Sequence, residues 1–179
     1  RRVPTESWYI TLPGGSILRN RQGMLRVDAL QIGDAVILSN GKSVTVTALQ
    51  SLQSRNGAGR VATATLNRGA FEENVPARAV SAPADGVLHI GTAKLKAGQL
   101  VNAATVTADS MDAANMFLVE LSGPGEISID GVNFVISWPD IESATATDAE
   151  VLVVRQSILN RALVSGWHYV QDNRIQLAV

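Results

Sequence analysis

Apolar and polar residues alternate with a period of two along much of the chain. Lys42-Ser43-Val44-Thr45-Val46-Thr47 is one such run, and Arg60 to Leu66 is another, with Val61-Ala62-Thr63-Ala64-Thr65-Leu66 after the arginine. This spacing places the apolar side chains on one face and predicts half-buried β-strands. Glu126 to Asp130 and Val132 to Ile136 form a further pair, and Asp130-Gly131 between them predicts a tight hairpin. Asn40-Gly41, between Ala35–Ser39 and Lys42–Thr47, predicts a second hairpin. Met116 to Leu121 is more continuously apolar and reads as a buried strand. Asn56-Gly57-Ala58-Gly59 separates two strand-like runs and reads as a mobile loop. About ten short strands are expected, at roughly the 8–12-residue spacing of all-β folds.

One segment breaks the alternation. Between Thr147 and Ser165, two sets of residues recur at helical spacing: Val151, Val154, Ile158 and Ala162, and beside them Leu152, Leu159 and Leu163. Thr147 or Asp148 is the expected cap, Glu150 falls in the first turn, and Gly166 stands where a glycine closes a helix. The valines among them are poorer helix formers. Gly166 to Val179 is expected to return as a strand, and the small, polar stretch Pro139 to Thr147 reads as a linker. The expected organisation is a β domain over residues 1–140 and a helix-strand extension over 141–179 packed on it. No long internal repeat is obvious, but Leu30-Gln31-Ile32-Gly33-Asp34-Ala35-Val36 and Leu95-Lys96-Ala97-Gly98-Gln99-Leu100-Val101 echo one another faintly, as an internal duplication or chance would make them.

Composition narrows the chemistry. The 179 residues include no cysteine, which excludes a disulfide scaffold, a thiolate metal site and a cysteine nucleophile. Fifteen basic and 16 acidic residues leave a formal charge of −1, which argues against binding nucleic acid or anionic lipid through bulk charge. An apolar fraction of 46% argues against disorder, and one domain or two small ones are expected from the length. Val151 to Val154 is far too short to span a membrane. Arg1-Arg2 is followed by Glu6 and Pro13-Gly14-Gly15 rather than by an apolar signal region. A chain without cysteine suits a cytoplasmic or a secreted setting alike.

Three segments in series resemble the Hint (hedgehog/intein) domain in its bacterial branch. The first runs Leu12-Pro13-Gly14-Gly15-Ser16-Ile17, then Gly23, then Val27-Asp28-Ala29-Leu30-Gln31-Ile32-Gly33-Asp34-Ala35-Val36. The second runs from Val75-Pro76-Ala77-Arg78-Ala79-Val80-Ser81 through Gly86-Val87-Leu88 to Leu100-Val101-Asn102-Ala103. The third is Val119-Glu120-Leu121-Ser122 with Ile129-Asp130-Gly131. Together they cover about residues 10–137. The resemblance implies a flattened all-β fold with pseudo-twofold symmetry, to which the C-terminal helix and strand are added. It also implies self-cleavage. A cysteine opening the first block would attack the preceding carbonyl, and a histidine in the central block would activate that peptide bond.

The chain departs from this pattern at each such position. Ile10 stands where the cysteine is expected, with Tyr9 or Thr11 after a one-residue slip. Gly86 stands for the central histidine, after Asp85, and Pro124 for a histidine of the closing block. A nucleophile needs a thiol or hydroxyl with a base in reach, and neither Ile10, Gly86 nor Pro124 supplies these groups. The remaining catalytic candidates are weak: Thr11 and Ser16 as hydroxyl nucleophiles, with His89 or Asp85 as the titratable partner. His89 is an odd number of strand positions from Gly86 and is expected on the opposite face. Asp34 paired with Asp85 would suit an aspartyl-type mechanism, although a turn role is the commoner one for such an aspartate. His89 and His168, with no cysteine, do not make a zinc site. No metal or cofactor is expected, since no phosphate-loop, Gly-x-Ser-x-Gly or His-Glu-x-x-His pattern occurs. Arg1, Arg2, Arg19, Arg21 and Arg26 read as a solvated basic face without interleaved aromatics. Trp8-Tyr9 and Trp167-His168-Tyr169 are expected to cap the core where the termini meet, or else to form an exposed interaction patch.

Three functions remain. The favoured one is a degenerate, non-catalytic Hint-like module, structural or protein-binding, whose partners are other proteins or a fused domain, not nucleic acid or membrane. The second is an autoprocessing domain using a hydroxyl nucleophile through an N-to-O acyl shift. The third is a small β-barrel assembly protein.

Overall fold

The computed structural model describes residues 7–53 and 59–165. Among them the strands are β1 (Trp8–Pro13), β2 (Ile17–Asn20), β3 (Gly23–Arg26), β4 (Ala35–Ile37), β5 (Ser43–Ser51), β6 (Arg60–Leu66) and β7 (Val80–Pro83). They continue with β8 (Val87–Ile90), β9 (Ala93–Lys96), β10 (Val106–Asp112), β11 (Met116–Leu121), β12 (Glu126–Ile129) and β13 (Val132–Val135). A single long helix, α1 (Asp148–Ser165), follows. The sheets are ordered β1-β11-β5-β4, β10-β6-β7, β12-β13-β8-β9 and β2-β3, and all pairings are antiparallel. Among the described residues the fold is mainly β, with one long C-terminal helix.

Where alternation is long enough to see, it becomes structure. Val44 and Val46 of β5 are buried while Ser43, Thr45 and Thr47 are exposed. Asp130 and Gly131 have φ of 51° and 92°, the two left-handed residues that a type I′ hairpin requires between β12 and β13. The pairing of β4 with β5 closes the Asn40-Gly41 hairpin. Thirteen described strands exceed the expected ten because β2, β3, β8 and β9 have only four residues each, too few for a period-two signature.

The chain builds one supersecondary unit twice, with Pro13 matching Pro83, 70 positions later. β1-turn-β2-turn-β3 and the 3-10 turn Val27–Ala29 match β7-turn-β8-turn-β9 and the 3-10 turn Ala97–Leu100. The backbone hydrogen bonds repeat as well. Ser16 N donates to Pro13 O at 3.0 Å as Gly86 N does to Pro83 O at 2.9 Å. Val27 N donates to Ser16 O, and Ala97 N to Gly86 O, each at 2.9 Å. Asp28 N donates to Gly14 O at 2.9 Å, and Gly98 N to Ala84 O at 2.8 Å. The duplication expected from sequence is therefore present, but in another register: Leu30 corresponds to Leu100, not to Leu95. Leu12, Leu18, Leu88, Leu95, Leu100 and Phe134, from both units and β13, share one core with essentially no solvent exposure.

Helix α1 begins with a capping box. Thr147 N donates to Glu150 Oε1 at 2.8 Å, and Glu150 N donates to Thr147 Oγ1 at 3.2 Å. Val151, Ile158 and Ala162 are buried, while Leu152 is 65% and Leu163 38% exposed, so only the first of the two expected stripes faces the core. Arg155 Nη1 donates to Gln99 O at 2.8 Å and Arg161 Nε to Gly69 O at 3.0 Å, fastening the helix to the β body. The stretch before it is tied down too, through Ala146 N to Lys94 O at 3.0 Å. The expected Gly166 cap, the strand over 166–179, the Trp167-His168-Tyr169 cluster and most of the Asn56–Gly59 loop lie outside the described residues. Trp8 meets Trp138 edge to face with ring centroids 4.8 Å apart.

Candidate functional site

β1 and the turn between β7 and β8 meet at a small cavity of about 70 Å³. Its walls include Tyr9, Ile10, Thr11, Asp85, Gly86 and Ser137, with Phe134 behind them. The sequence resemblance places the nucleophile at Ile10 and the central histidine at Gly86, and these two positions share this one space. Ile10 is 5% exposed and belongs to the core. Thr11 is half-buried beside it, and Asp85 is exposed at the turn.

The other candidates lie elsewhere. His89 is on β8 with its Nδ1 2.6 Å from Glu126 Oε2, and it lines a separate cavity with Asn133 and Glu72. It does not line the cavity that holds Thr11 and Gly86; since Gly86 lies in the turn before β8, this follows from the tertiary arrangement and not from strand alternation. Ser16 sits in the turn between β1 and β2 and lines a third cavity. Asp34 accepts a hydrogen bond from Gln31 N at 2.8 Å through Oδ2 while its own N–H donates to Gln31 O at 3.0 Å, the turn role. It does not line the cavity that holds Asp85. Pro124 is exposed between β11 and β12 and likewise contributes nothing to that cavity.

The strand is held on both sides upstream of Thr11. On one side β1 pairs with β11, Ile10 opposite Val119 and Thr11 opposite Leu118. On the other, Tyr9 N donates to Ser137 O at 2.9 Å and Ser137 N to Tyr9 O at 2.8 Å. The sequence singled out Tyr9 and Thr11 but missed Ser137 and Phe134. Nothing in a run such as Val135-Ile136-Ser137-Trp138 announces that it will cap the outer edge of a strand over a hundred residues earlier. Chemically the cavity offers the Thr11 hydroxyl and the Asp85 carboxyl. Among the described residues no histidine lines it, and no cluster of three potential metal ligands occurs.

No protein-family model matches the chain. No curated protein matches it. Among solved structures it is similar to a triple variant of the gp41-1 intein, with a TM-score of 0.51 and 11% identity over 70% of this chain and 98% of that one. It is similar also to a variant of the MchDnaB-1 intein, with a TM-score of 0.50 and 14% identity over 70% of this chain and 99% of that one. At such identities the likeness is one of fold. Nearly the whole of each intein is matched, and the expected pseudo-symmetric β architecture is the one observed: this protein has the Hint fold of the inteins.

Proposed function

We propose that the protein is a Hint-fold module that does not cleave itself and serves as a structural or protein-interaction domain. The observation that carries this reading is the furnishing of the cavity between β1 and the β7–β8 turn. Ile10 and Gly86 meet there, where an autoprocessing domain would bring together a nucleophile and an activating base. A buried aliphatic side chain and a hydrogen atom perform neither role. The tie between Tyr9 and Ser137 further supports it, because the segment that would carry a scissile bond continues as an ordinary paired strand.

The test is the intact mass of a chain expressed with an N-terminal extension, freshly purified and incubated with and without a thiol or hydroxylamine. The expected result is a single unchanged mass. A fragment ending between Trp8 and Thr11 overturns the proposal. A second reading has one observation in its favour: Thr11 and Asp85 share the cavity, so a hydroxyl nucleophile has one carboxyl for company. It requires cleavage that disappears in a Thr11→Ala variant. Ser16, on another cavity, is not expected to matter to it.

A further inference from the structure

The duplication means that the β1 cavity has a counterpart. Carried from one unit to the other, Tyr9 becomes Ala79, Thr11 becomes Ser81, and Gly86 becomes Ser16. Ala79, Ser81 and Ser16 do line one space, an open cleft of about 460 Å³ between β7 and the β1–β2 turn. The two spaces differ in a way that identifies what the second one accepts.

In the first, the outer edge of β1 is closed. Ser137 exchanges two hydrogen bonds with Tyr9 as an isolated antiparallel bridge just beyond the end of β13. In the second, among the described residues, no segment pairs with the outer edge at Ala79 or Ser81, and the neighbouring contact is two residues upstream of Ala79, where Ala77 N donates to Asp130 O at 2.9 Å. β7 ends its sheet, and among the described residues no bridge forms at Ala79. The direction of that edge follows from the ladder. Ala84 N donates to Ala62 O, so the hydrogen-bonded pairs with β6 are Ala64 with Ala82 and Leu66 with Val80. Pro83, which has no N–H, falls at the non-hydrogen-bonded position between Ala82 and Ala84, as it must. The N–H and C=O of Ser81, and of Ala79 before it, point away from β6 toward the cleft.

Charge selects among the extended segments that would fit. Arg26 and Arg78 both line the cleft, with Asp130 as the one carboxylate among its lining residues. Arg26 is oriented by Asp28, through Nε at 3.0 Å and Nη2 at 2.8 Å, and Arg78 by Asp130 through Nε at 3.3 Å. The Arg78 contact leaves both of its terminal nitrogens to a ligand, and Nη1 of Arg26 is likewise outside its carboxylate pair. Guanidinium groups fixed in this way match carboxylates. The hydroxyl-bearing Ser16 and Ser81 lie on the same walls.

We infer that β7 is a docking edge for an acidic peptide. The peptide adds as an extended strand beside Ala79–Ser81, where the equivalent of Ser137 would lie, and its carboxylates meet Arg26 and Arg78. This goes with the reading of the protein as an interaction module, yet its test does not measure cleavage. A chain that fails to process itself can still fail to bind, and the two failures are separately visible.

The test uses the full chain and a fluorescein-labelled peptide of alternating glutamate and valine, eight residues long, followed by anisotropy. The expected result is saturable binding that weakens as sodium chloride rises from about 50 to about 500 mM. It weakens at least roughly tenfold in the Arg26→Gln, Arg78→Gln double variant. An Ala79→Pro variant removes an outward N–H without touching the β6 ladder and is expected to lose a similar share. Far-ultraviolet circular dichroism establishes that each variant is folded, and the arginine pair alone decides the matter if the proline variant is not. Absence of binding, equal binding of a lysine–valine peptide, or binding unchanged in the double arginine variant would overturn the inference.

Discussion

Phe134 forms the wall between the β1 cavity and the core, so its truncation tests whether that wall is rigid. The residue is 1% exposed and stands opposite Leu88 on β8 and Ile127 on β12. An aromatic side chain of this kind removes roughly 150–250 Å² from water. At about 25 cal/mol/Å² that is about 4–6 kcal/mol, of which alanine retains a small part. Phe→Ala changes in packed cores cost about 3–5 kcal/mol, the cavity left behind included. The void beside Phe134 already measures about 70 Å³, so removal of the ring enlarges an existing space. We expect a loss near the upper half of that range, about 4 kcal/mol, for Phe134→Ala. In urea unfolding with m of about 2 kcal/mol/M, this moves the midpoint down by about 2 M. Phe134→Leu keeps much of the volume and is expected to cost under about 2 kcal/mol. A loss below about 1.5 kcal/mol in the alanine variant, at unchanged m, would show that β13 collapses onto the gap and that the cavity is not a fixed feature.

Asn102 organises the loop after the second 3-10 turn: its Oδ1 accepts from the N–H groups of Ala104, Thr105 and Val106 at 2.9, 2.9 and 3.0 Å, and its Nδ2 donates to Thr105 Oγ1 at 2.9 Å. Asn102→Ala should cost about 2–4 kcal/mol in urea unfolding, since it strands several part-buried donors at once, whereas Asn102→Asp keeps the acceptor and should cost less than half as much. Equal losses in the two variants would refute the acceptor role. The capping box gives a pH dependence: the hydrogen bond from the Thr147 backbone N–H, and then the Thr147 hydroxyl, hold the Glu150 carboxyl below its ordinary range. A group depressed in the folded state contributes stability that is complete above its unfolded value and is lost as pH falls through the folded one. The thermal midpoint of the chain should therefore fall less steeply from pH 6 to pH 3 in Glu150→Gln than in the parent, and superimposable profiles would rule the contribution out.

Period two was the readable part of this fold. β5 and β6 carry it over six or more residues and the β12–β13 hairpin flanks it with Asp130-Gly131, while β11 was readable as a continuous apolar run, and all appear at the expected places. The four-residue strands of the duplicated units do not, and there the hydrogen bonds of turns set the structure instead. That is also why the internal echo was first visible in the wrong register. Leu30 to Val36 and Leu95 to Val101 match as strings of glycine, polar and apolar residues, but turn geometry aligns Leu30 with Leu100. The helix was legible, with its cap narrowed to Thr147 or Asp148, but not which of the two caps it or which of its two apolar stripes faced inward. That choice belongs to the surface it lands on, where Gln99 and Gly69 present carbonyls to Arg155 and Arg161. At the candidate site, Ile10, Thr11, Asp85 and Gly86 could be named in advance, while Ser137 and Phe134 entered only through tertiary pairing.

The pairing of turns bears on what a histidine at position 86 would cost. Gly86 is not in the left-handed region, and Ser16 occupies the equivalent turn with a side chain, so the turn itself does not demand glycine. What surrounds Gly86 does restrict it. A Cβ there would stand 3.1 Å from Pro83 O and 3.3 Å from Pro83 Cδ, closer than nearly all such contacts. The carbonyl is the one that receives the Gly86 N–H at 2.9 Å, so making room displaces the bond that closes the turn. Gly86→His therefore asks Pro83 to give by a few tenths of an ångström, a shift whose size the equivalent Ser16 turn shows to be within reach of this geometry. At the other side of the cavity, Ile10→Cys takes volume from a residue that is 5% exposed and packed in the core. The two substitutions that would place a thiol and an imidazole at the cavity thus both fall on packed positions, Ile10 in the core and Gly86 against Pro83.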